Sequence, residues 1–232
     1  MIIGGLHKNS LIDYPGKISC VIFLSGCNFD CPYCHNPELA KGRSLGSDFL
    51  SEDLIFDFLE IHKGFLDGVV ISGGEPTLQK GLISFCKKIR LMGYPVKLDT
   101  NGSRPEVISK LIDEGLVNYI AMDIKTDPSH YTSLIKDDCS TDDIFSSVRI
   151  IKESNIDYEF RTTCVKSLVN ESIFNNISYW LEGSRLYALQ QFSKTDVLHP
   201  ELFRDNSDIY QDYEMMNLKS VANQWVNKCI VR

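Results

Sequence analysis

Short apolar runs rich in β-branched residues recur along the chain, each bounded by glycine, proline or polar residues. The first covers residues 18–24, and similar runs follow at 67–72, 95–100, 118–124, 158–164 and 185–192. Between them lie segments with helical spacing of apolar positions, at 79–92, 105–114, 141–155 and 171–181. An earlier amphipathic stretch, 51–62, has Leu54, Ile55, Phe58, Leu59 and Ile61 apolar, with Ser51 as N-cap and acids in the first turn. Residues 40–50 are polar, carry two glycines and read as a loop. Strands alternating with helices through short joints predict parallel strands and right-handed crossovers. Six such strands predict an incomplete (β/α)6 barrel, since the chain falls short of the ~250 residues of a typical eight-stranded one. The stretch 193–232 breaks the rhythm and reads as an extension of the same domain. A helix is predicted near 212–225, and Cys229-Ile230-Val231-Arg232 as a short last strand.

Composition narrows the class. With 232 residues, 43% hydrophobic and 24% charged, the chain reads as one ordinary globular domain, 1–232, with a sizeable core. Its net charge of −7 argues against a nucleic-acid backbone or an anionic membrane as partner. No apolar run approaches the ~20 residues that span a bilayer, and residues 1–10 do not read as a signal peptide. Eight cysteines in such a chain predict free thiols in a reducing cytoplasm. Cys20 and Cys164 sit in strand runs as core residues. Asp137-Asp138 and Asp142-Asp143 read as solvated surface. His7, His62, His130 and His199 lack any motif.

The chemistry concentrates just after the first strand. Cys27, Cys31 and Cys34 stand in the spacing C-x3-C-x2-C, with Gly26 to turn the chain and Pro32 and Pro37 opposing regular helix. A short irregular loop of this kind aims three sulfurs at one place. Thiolates select iron–sulfur clusters, zinc or Cu(I). A structural zinc site wants four ligands, usually two separated pairs, and the chain has no second pair. A [4Fe–4S] cube on three thiolates keeps one iron open for a ligand.

The other strand ends add polar residues where parallel barrels gather their chemistry. These are Ser72-Gly73-Gly74-Glu75, Asp99-Thr100-Asn101-Gly102, Asp123-Ile124-Lys125, Arg161-Thr162-Thr163 and Gln190-Gln191. Alone, the first is a tight βα turn and the second an Asn-Gly turn. Asp123 and Lys125 share a strand face and would otherwise be a weak ion pair. Arg161 reads equally as a ligand clamp or a satisfied structural charge.

The cysteine spacing, with Tyr33 before the last cysteine, resembles the signature of the radical S-adenosylmethionine (radical SAM) superfamily. The longer Cys31-Pro32-Tyr33-Cys34-His35-Asn36-Pro37-Glu38-Leu39 resembles the branch that activates glycyl radical enzymes. Gly4-Gly5-Leu6 and the stretch from Ser10 to Lys17 resemble the activating proteins of anaerobic ribonucleoside-triphosphate reductase; residues 10–17 lead into the first strand and are predicted near the barrel's N-terminal side or along its wall. The resemblance implies a radical SAM partial barrel with a [4Fe–4S] cluster on Cys27, Cys31 and Cys34. It implies S-adenosylmethionine (SAM) held near Tyr33, Gly73, Gly74, Glu75, Asp99, Thr100, Asp123, Lys125 and Arg161. Glu75 and nearby backbone carbonyls would accept from the methionine ammonium. A monovalent cation near Asp99 and Asp123 is implied by the pyruvate formate-lyase activators, which also place a histidine where this chain has Gln190 and Gln191. The implied chemistry is reductive SAM cleavage to a 5′-deoxyadenosyl radical that takes hydrogen from a glycine of a partner enzyme, with a flavodoxin- or ferredoxin-type electron donor. Another glycyl radical enzyme as partner, a small-molecule substrate, or a non-catalytic zinc or cluster module are the alternatives.

Overall fold

The computed structural model describes residues 1–136 and 139–232, so the Asp137-Asp138 pair lies outside the described residues. Eight strands among them form one sheet in sequence order: β1 (Ile3–Ser10), β2 (Ser19–Leu24), β3 (Gly68–Gly73), β4 (Val96–Thr100), β5 (Tyr119–Asp123), β6 (Asp157–Cys164), β7 (Tyr187–Gln191) and β8 (Cys229–Val231). β1 runs antiparallel to β2, and every later neighbour pair is parallel. The sheet curls into a partial barrel. The expected six-strand count is exceeded at both ends, because the short run at Cys229 joins β7 as a seventh parallel strand and β1 adds an edge.

The helices are α1 (Pro37–Ala40), α2 (Glu52–Ile61), α3 (Leu82–Leu91), α4 (Pro105–Asp113), α5 (Thr141–Glu153), α6 (Glu171–Leu181) and α7 (Asp212–Ala222). Their starts follow local chemistry. The Ser51 side chain accepts from Leu54 N, opening α2 as its sequence predicts. Ser140 and Asp143 form a reciprocal capping box at α5. Asp143 is therefore a helix cap rather than merely solvated surface. None of these helices is long and apolar enough to cross a membrane.

Strand alternation splits the core in two. Ile22, Leu98, Ile120 and Phe160 point outward and are fully buried under the helices, each worth about 1.5–3 kcal/mol. Cys20, Cys86 and Cys164 share this outer layer. A smaller cluster, Tyr14, Val21, Val70, Tyr119 and Ala121, fills the barrel interior. The Tyr14 ring lies 6.0 Å from that of Tyr119, at the start of β5, and abuts Gly68 at the start of β3. The stretch around Tyr14 thus plugs the N-terminal end of the barrel.

The open side of the sheet is braced at β8. Arg232 donates to both carboxylate oxygens of Glu159 on β6, at 2.9 and 2.7 Å, and Glu159 is 1% exposed. Removing one partner of a fully buried pair costs about 3–5 kcal/mol. The Arg232 side chain is 39% exposed, so water discounts the pair. Arg232→Ala is expected to cost about 2 kcal/mol, read as a lower urea midpoint with unchanged slope. An unmoved midpoint would show that the pair contributes nothing.

Candidate active site

At the C-terminal end of β2 the chain turns through Gly26, at φ +98°, into the cysteine loop. Gly26 N donates to Leu39 O at 2.8 Å and Ser25 N to Ile2 O at 2.9 Å, tying the loop to α1 and to β1's start. The far side of the loop is held by Asp30 N to Leu134 O and Lys136 N to Asn28 O, each 2.8 Å. The segment after β7 closes over it: His199 N donates to Pro32 O at 3.0 Å, and His35 Nε2 lies 2.8 Å from Ser193 O. A loop with few regular hydrogen bonds is thus fixed from four directions.

Cys27, Cys31 and Cys34 all line one cavity of about 320 Å³, within the range of small-ligand sites. Burial pushes the Cys27 thiol up to about 11, against a lowering hydrogen bond from Phe29, and the Cys31 thiol up to about 12. Phe29 N donates to Cys27 Sγ and Asn36 N to Cys34 Sγ, both at 3.4 Å. Among the described residues, no three histidine, cysteine or carboxylate side chains are placed to hold a single metal ion. The three sulfurs therefore share a cavity without converging on one point.

The turn after β3 docks directly on this loop. Gly74 N donates to Leu24 O and Glu75 N to Gly26 O, both at 2.8 Å. A Cβ on Gly73 would sit 2.2 Å from Leu24 O, and one on Gly74 2.1 Å from Gly26 O. Both positions need glycine because backbone meets backbone there. Both residues also line the cavity.

Glu75 departs from expectation. It is fully buried and does not line the cavity. Oε1 accepts from Thr77 N at 3.0 Å, Thr77 Oγ1 at 2.5 Å and Thr100 Oγ1 at 2.7 Å; Oε2 accepts from Asn101 N at 2.6 Å. Burial holds its carboxyl above the usual carboxylate range, and these hydrogen bonds only partly oppose that. Four protein donors occupy the carboxylate that was expected to receive a ligand ammonium. It clamps the β3 and β4 turns together instead. Asn101, positioned by that clamp, donates to Asn28 Oδ1 at 3.0 Å and lies 4.0 Å from Cys27 Sγ.

Opposite the cysteines, the lumen carries a ladder of charges. Lys97 Nζ contacts Asp99 Oδ1, Arg161 Nη1 lies 3.5 Å from the same oxygen, and Ser72 Oγ donates to Asp99 Oδ2 at 3.1 Å. Arg161 Nε donates to Asp123 Oδ1 at 2.7 Å, and Lys125 Nζ to Asp123 Oδ2 at 3.0 Å. Burial raises the Asp99 and Asp123 carboxyls, but Arg161, with Lys97 at Asp99 and Lys125 at Asp123, outweighs it and holds both below their usual value. Burial alone would lower Arg161 and Lys125; their carboxylate neighbours hold both up. Three cations face two carboxylates, so the ladder carries a net positive charge of one.

The cavity thus gathers the cysteines with Tyr33, Gly73, Gly74, Asp99, Thr100, Asp123, Lys125 and Arg161, and leaves out Glu75. Tyr33 is 3% exposed, with its hydroxyl 3.5 Å from Lys125 O. Sequence reasoning missed Asp13, whose carboxylate takes the Ser10 hydroxyl at 2.5 Å and which also lines the cavity. It also missed Lys97, whose signal was a lysine inside a strand that otherwise reads as core. Gln190 and Gln191 line the wall, and Gln191 Nε2 donates to Tyr210 O at 2.5 Å.

Residues 21–173 match the family model described as the radical SAM superfamily. A Methanocaldococcus jannaschii protein, whose name places it provisionally among glycyl-radical enzyme activating enzymes, is 36% identical, covering 100% of this chain and 95% of that protein. A pyruvate formate-lyase-activating enzyme of Clostridium pasteurianum is 36% identical over 44% of this chain and 45% of its own. Among solved structures, QueE from Escherichia coli aligns at TM-score 0.58 with 13% identity, covering 100% of this chain and 93% of that one. Streptococcus suis SuiB bound to precursor peptide SuiA aligns at TM-score 0.67 with 12% identity, over 91% and 48%. At such identities these two speak for the fold alone. A cysteine loop at the mouth of a partial parallel barrel, a match over most of the chain and a relative aligned along its whole length lead to one statement: the chain belongs to the radical SAM superfamily, among its glycyl-radical enzyme activating enzymes.

Proposed function

We propose that Cys27, Cys31 and Cys34 hold a [4Fe–4S] cluster, that the cavity beside them takes SAM, and that the partner is anaerobic ribonucleoside-triphosphate reductase. One observation carries the site: three thiols and the paired charges of Asp99, Asp123, Lys125 and Arg161 line the same cavity, with Lys97 behind Asp99. The residues suit the cofactors. A cube takes one thiolate per iron, so its ligands need a shared cavity rather than a common point. Thiols that burial holds protonated need iron's positive charge to become thiolates. Backbone N–H groups already point at two of the sulfurs. The ladder's spare positive charge suits the methionine carboxylate, with Arg161 and Lys125 at the rim.

When bound, the cluster and SAM supply one-electron reductive cleavage and hydrogen abstraction. The chain's residues position and shield. Asp99 and Asp123 fix the Arg161 and Lys125 head groups, Glu75 fixes the turns under the ligand, and the segment after β7 covers the cysteine loop. The side chains named need not act as general base or nucleophile. The cavity extends to Asp13, and the sheet's uncovered gap between its edge strands β1 and β8 would suit entry of a protein loop. We also assign 193–232 to the same domain, since β8 joins its sheet, and a reducing cytoplasm, which the eight free cysteines favour. The electron donor is assigned as a flavodoxin or ferredoxin.

The reductase assignment rests on the resemblance at Gly4-Gly5-Leu6 and Ser10 to Lys17. Reduced, reconstituted protein with SAM and the reductase is expected to give a glycine-centred EPR doublet together with 5′-deoxyadenosine. A doublet only on pyruvate formate-lyase would reassign the partner. 5′-Deoxyadenosine without any glycyl radical would overturn protein activation and favour a small-molecule substrate.

A further inference from the structure

The sibling activators led to an expected monovalent cation beside Asp99 and Asp123, and the geometry speaks against one. Arg161 already bridges the two carboxylates, with Nη1 3.5 Å from Asp99 and Nε 2.7 Å from Asp123. Ser72 takes the second oxygen of Asp99, and Lys125 the second oxygen of Asp123. A small cation entering here would meet three protein cations and displace at least one.

Lys97 adds a further buried charge beside Asp99. It lies two residues before Asp99 on β4, so both side chains face the lumen. It is 2% exposed, and its ammonium contacts Asp99 Oδ1 with the Tyr119 ring 5.9 Å away. Without Lys97 the remaining ladder is two cations against two carboxylates, and its net charge falls from plus one to zero. A buried ammonium is a compact point charge in a low-dielectric setting, where its field reaches further than in water. Being tethered, it is present at every salt composition.

We infer that Lys97 is a built-in cation: it supplies beside Asp99 the positive charge that a bound monovalent ion would otherwise bring, so ligand binding in this cavity does not depend on potassium or sodium. Lys97 does not line the cavity and acts through Asp99, so it is a positioning residue. The inference rests on SAM as the ligand.

The test measures SAM affinity of the cluster-reconstituted protein by calorimetry, in potassium chloride and in tetramethylammonium chloride at equal ionic strength. The wild-type Kd is expected to agree within about twofold between the two salts. Lys97→Ala removes the charge and opens space beside Asp99. Its affinity is expected to fall about tenfold in tetramethylammonium, or ~1.4 kcal/mol, and to recover largely in potassium. Lys97→Arg, which keeps the charge, is expected to stay salt-independent. Rescue by an ion separates a charge role from a purely structural one, and the wild-type comparison stands even if Lys97→Ala fails to fold. Wild-type affinity that collapses without potassium, or a Lys97→Ala protein binding as tightly as wild type in both salts, overturns the inference. Absence of SAM binding in every salt would instead overturn the cofactor assignment and this inference with it.

Discussion

Replacing Cys27, Cys31 or Cys34 by alanine is expected to abolish the cluster-dependent visible absorbance of the anaerobically reconstituted protein, while Cys86→Ala and Cys139→Ala retain it. On the proposed assignment each sulfur would serve one iron of a cube, and among the described residues no other thiol lines the cavity. The sulfurs of Cys27 and Cys34 each accept one loop N–H, from Phe29 and Asn36, but the loop's main anchors lie elsewhere. The loop is held by backbone bonds from Gly26, Asp30, Lys136 and His199, so the variants lose a ligand rather than a fold. Cys86 is fully buried in α3, far from this chemistry in role, and its truncation leaves a small cavity worth about 1 kcal/mol. Cys139 precedes α5, and its thiol donates to Ser140 O. Iron and sulfide per chain, together with the thermal midpoint of each apoprotein, separate ligand loss from misfolding. Equal cluster loss in both groups of variants would remove the assignment.

The barrel was legible because its strands are short apolar runs between helices, and both periods survive in the residues. The cysteine loop was legible because three soft ligands at this spacing have few other uses. β1 was not read, since Gly4 and Gly5 weaken any strand pattern and residues 7–9 of this edge strand are exposed. Glu75 was misplaced for a different reason. A carboxylate at a glycine turn looks available, and only the fold brings Thr77, Thr100 and Asn101 around it. Lys97 was passed over because residues 95–100 were read as a core strand, yet the barrel lumen is the one interior where a lysine finds a carboxylate partner two residues away. The stretch from Ser10 to Lys17 reads as lying near the barrel's N-terminal side or along its wall, and Tyr14 packs on Tyr119 and Gly68 at strand starts, which is the first of these two. That Asp13 also reaches the cavity depends on the tertiary path of the loop, which no local pattern encodes.

Gly74→Ala is the second large effect, and its expected outcome follows from the structure rather than the motif. Seen from the sequence, a side chain at Gly74 would intrude on the ligand, weakening SAM binding while the cluster persists. The geometry points the added Cβ the other way, 2.1 Å from the backbone oxygen of Gly26 and 3.3 Å from Cys27 N. No rotamer relieves a clash between a Cβ and a backbone atom. The turn must lift off the cysteine loop, straining Glu75 N to Gly26 O and Gly74 N to Leu24 O together. Overpacking of this kind costs about 1–3 kcal/mol, and the distortion falls on the residue next to the first cysteine. The variant is therefore expected to lose most of its reconstituted iron and sulfide along with SAM binding. Asp123→Asn is the contrasting control: Asp123 lines the cavity and holds Arg161 and Lys125 but makes no hydrogen bond to the cysteine loop, so the change should weaken SAM binding with the cluster intact. If Gly74→Ala instead carries a full cluster and loses only SAM affinity, the glycine serves the ligand's space, and the docking of the β3 turn on the cysteine loop is not what holds the cluster in place.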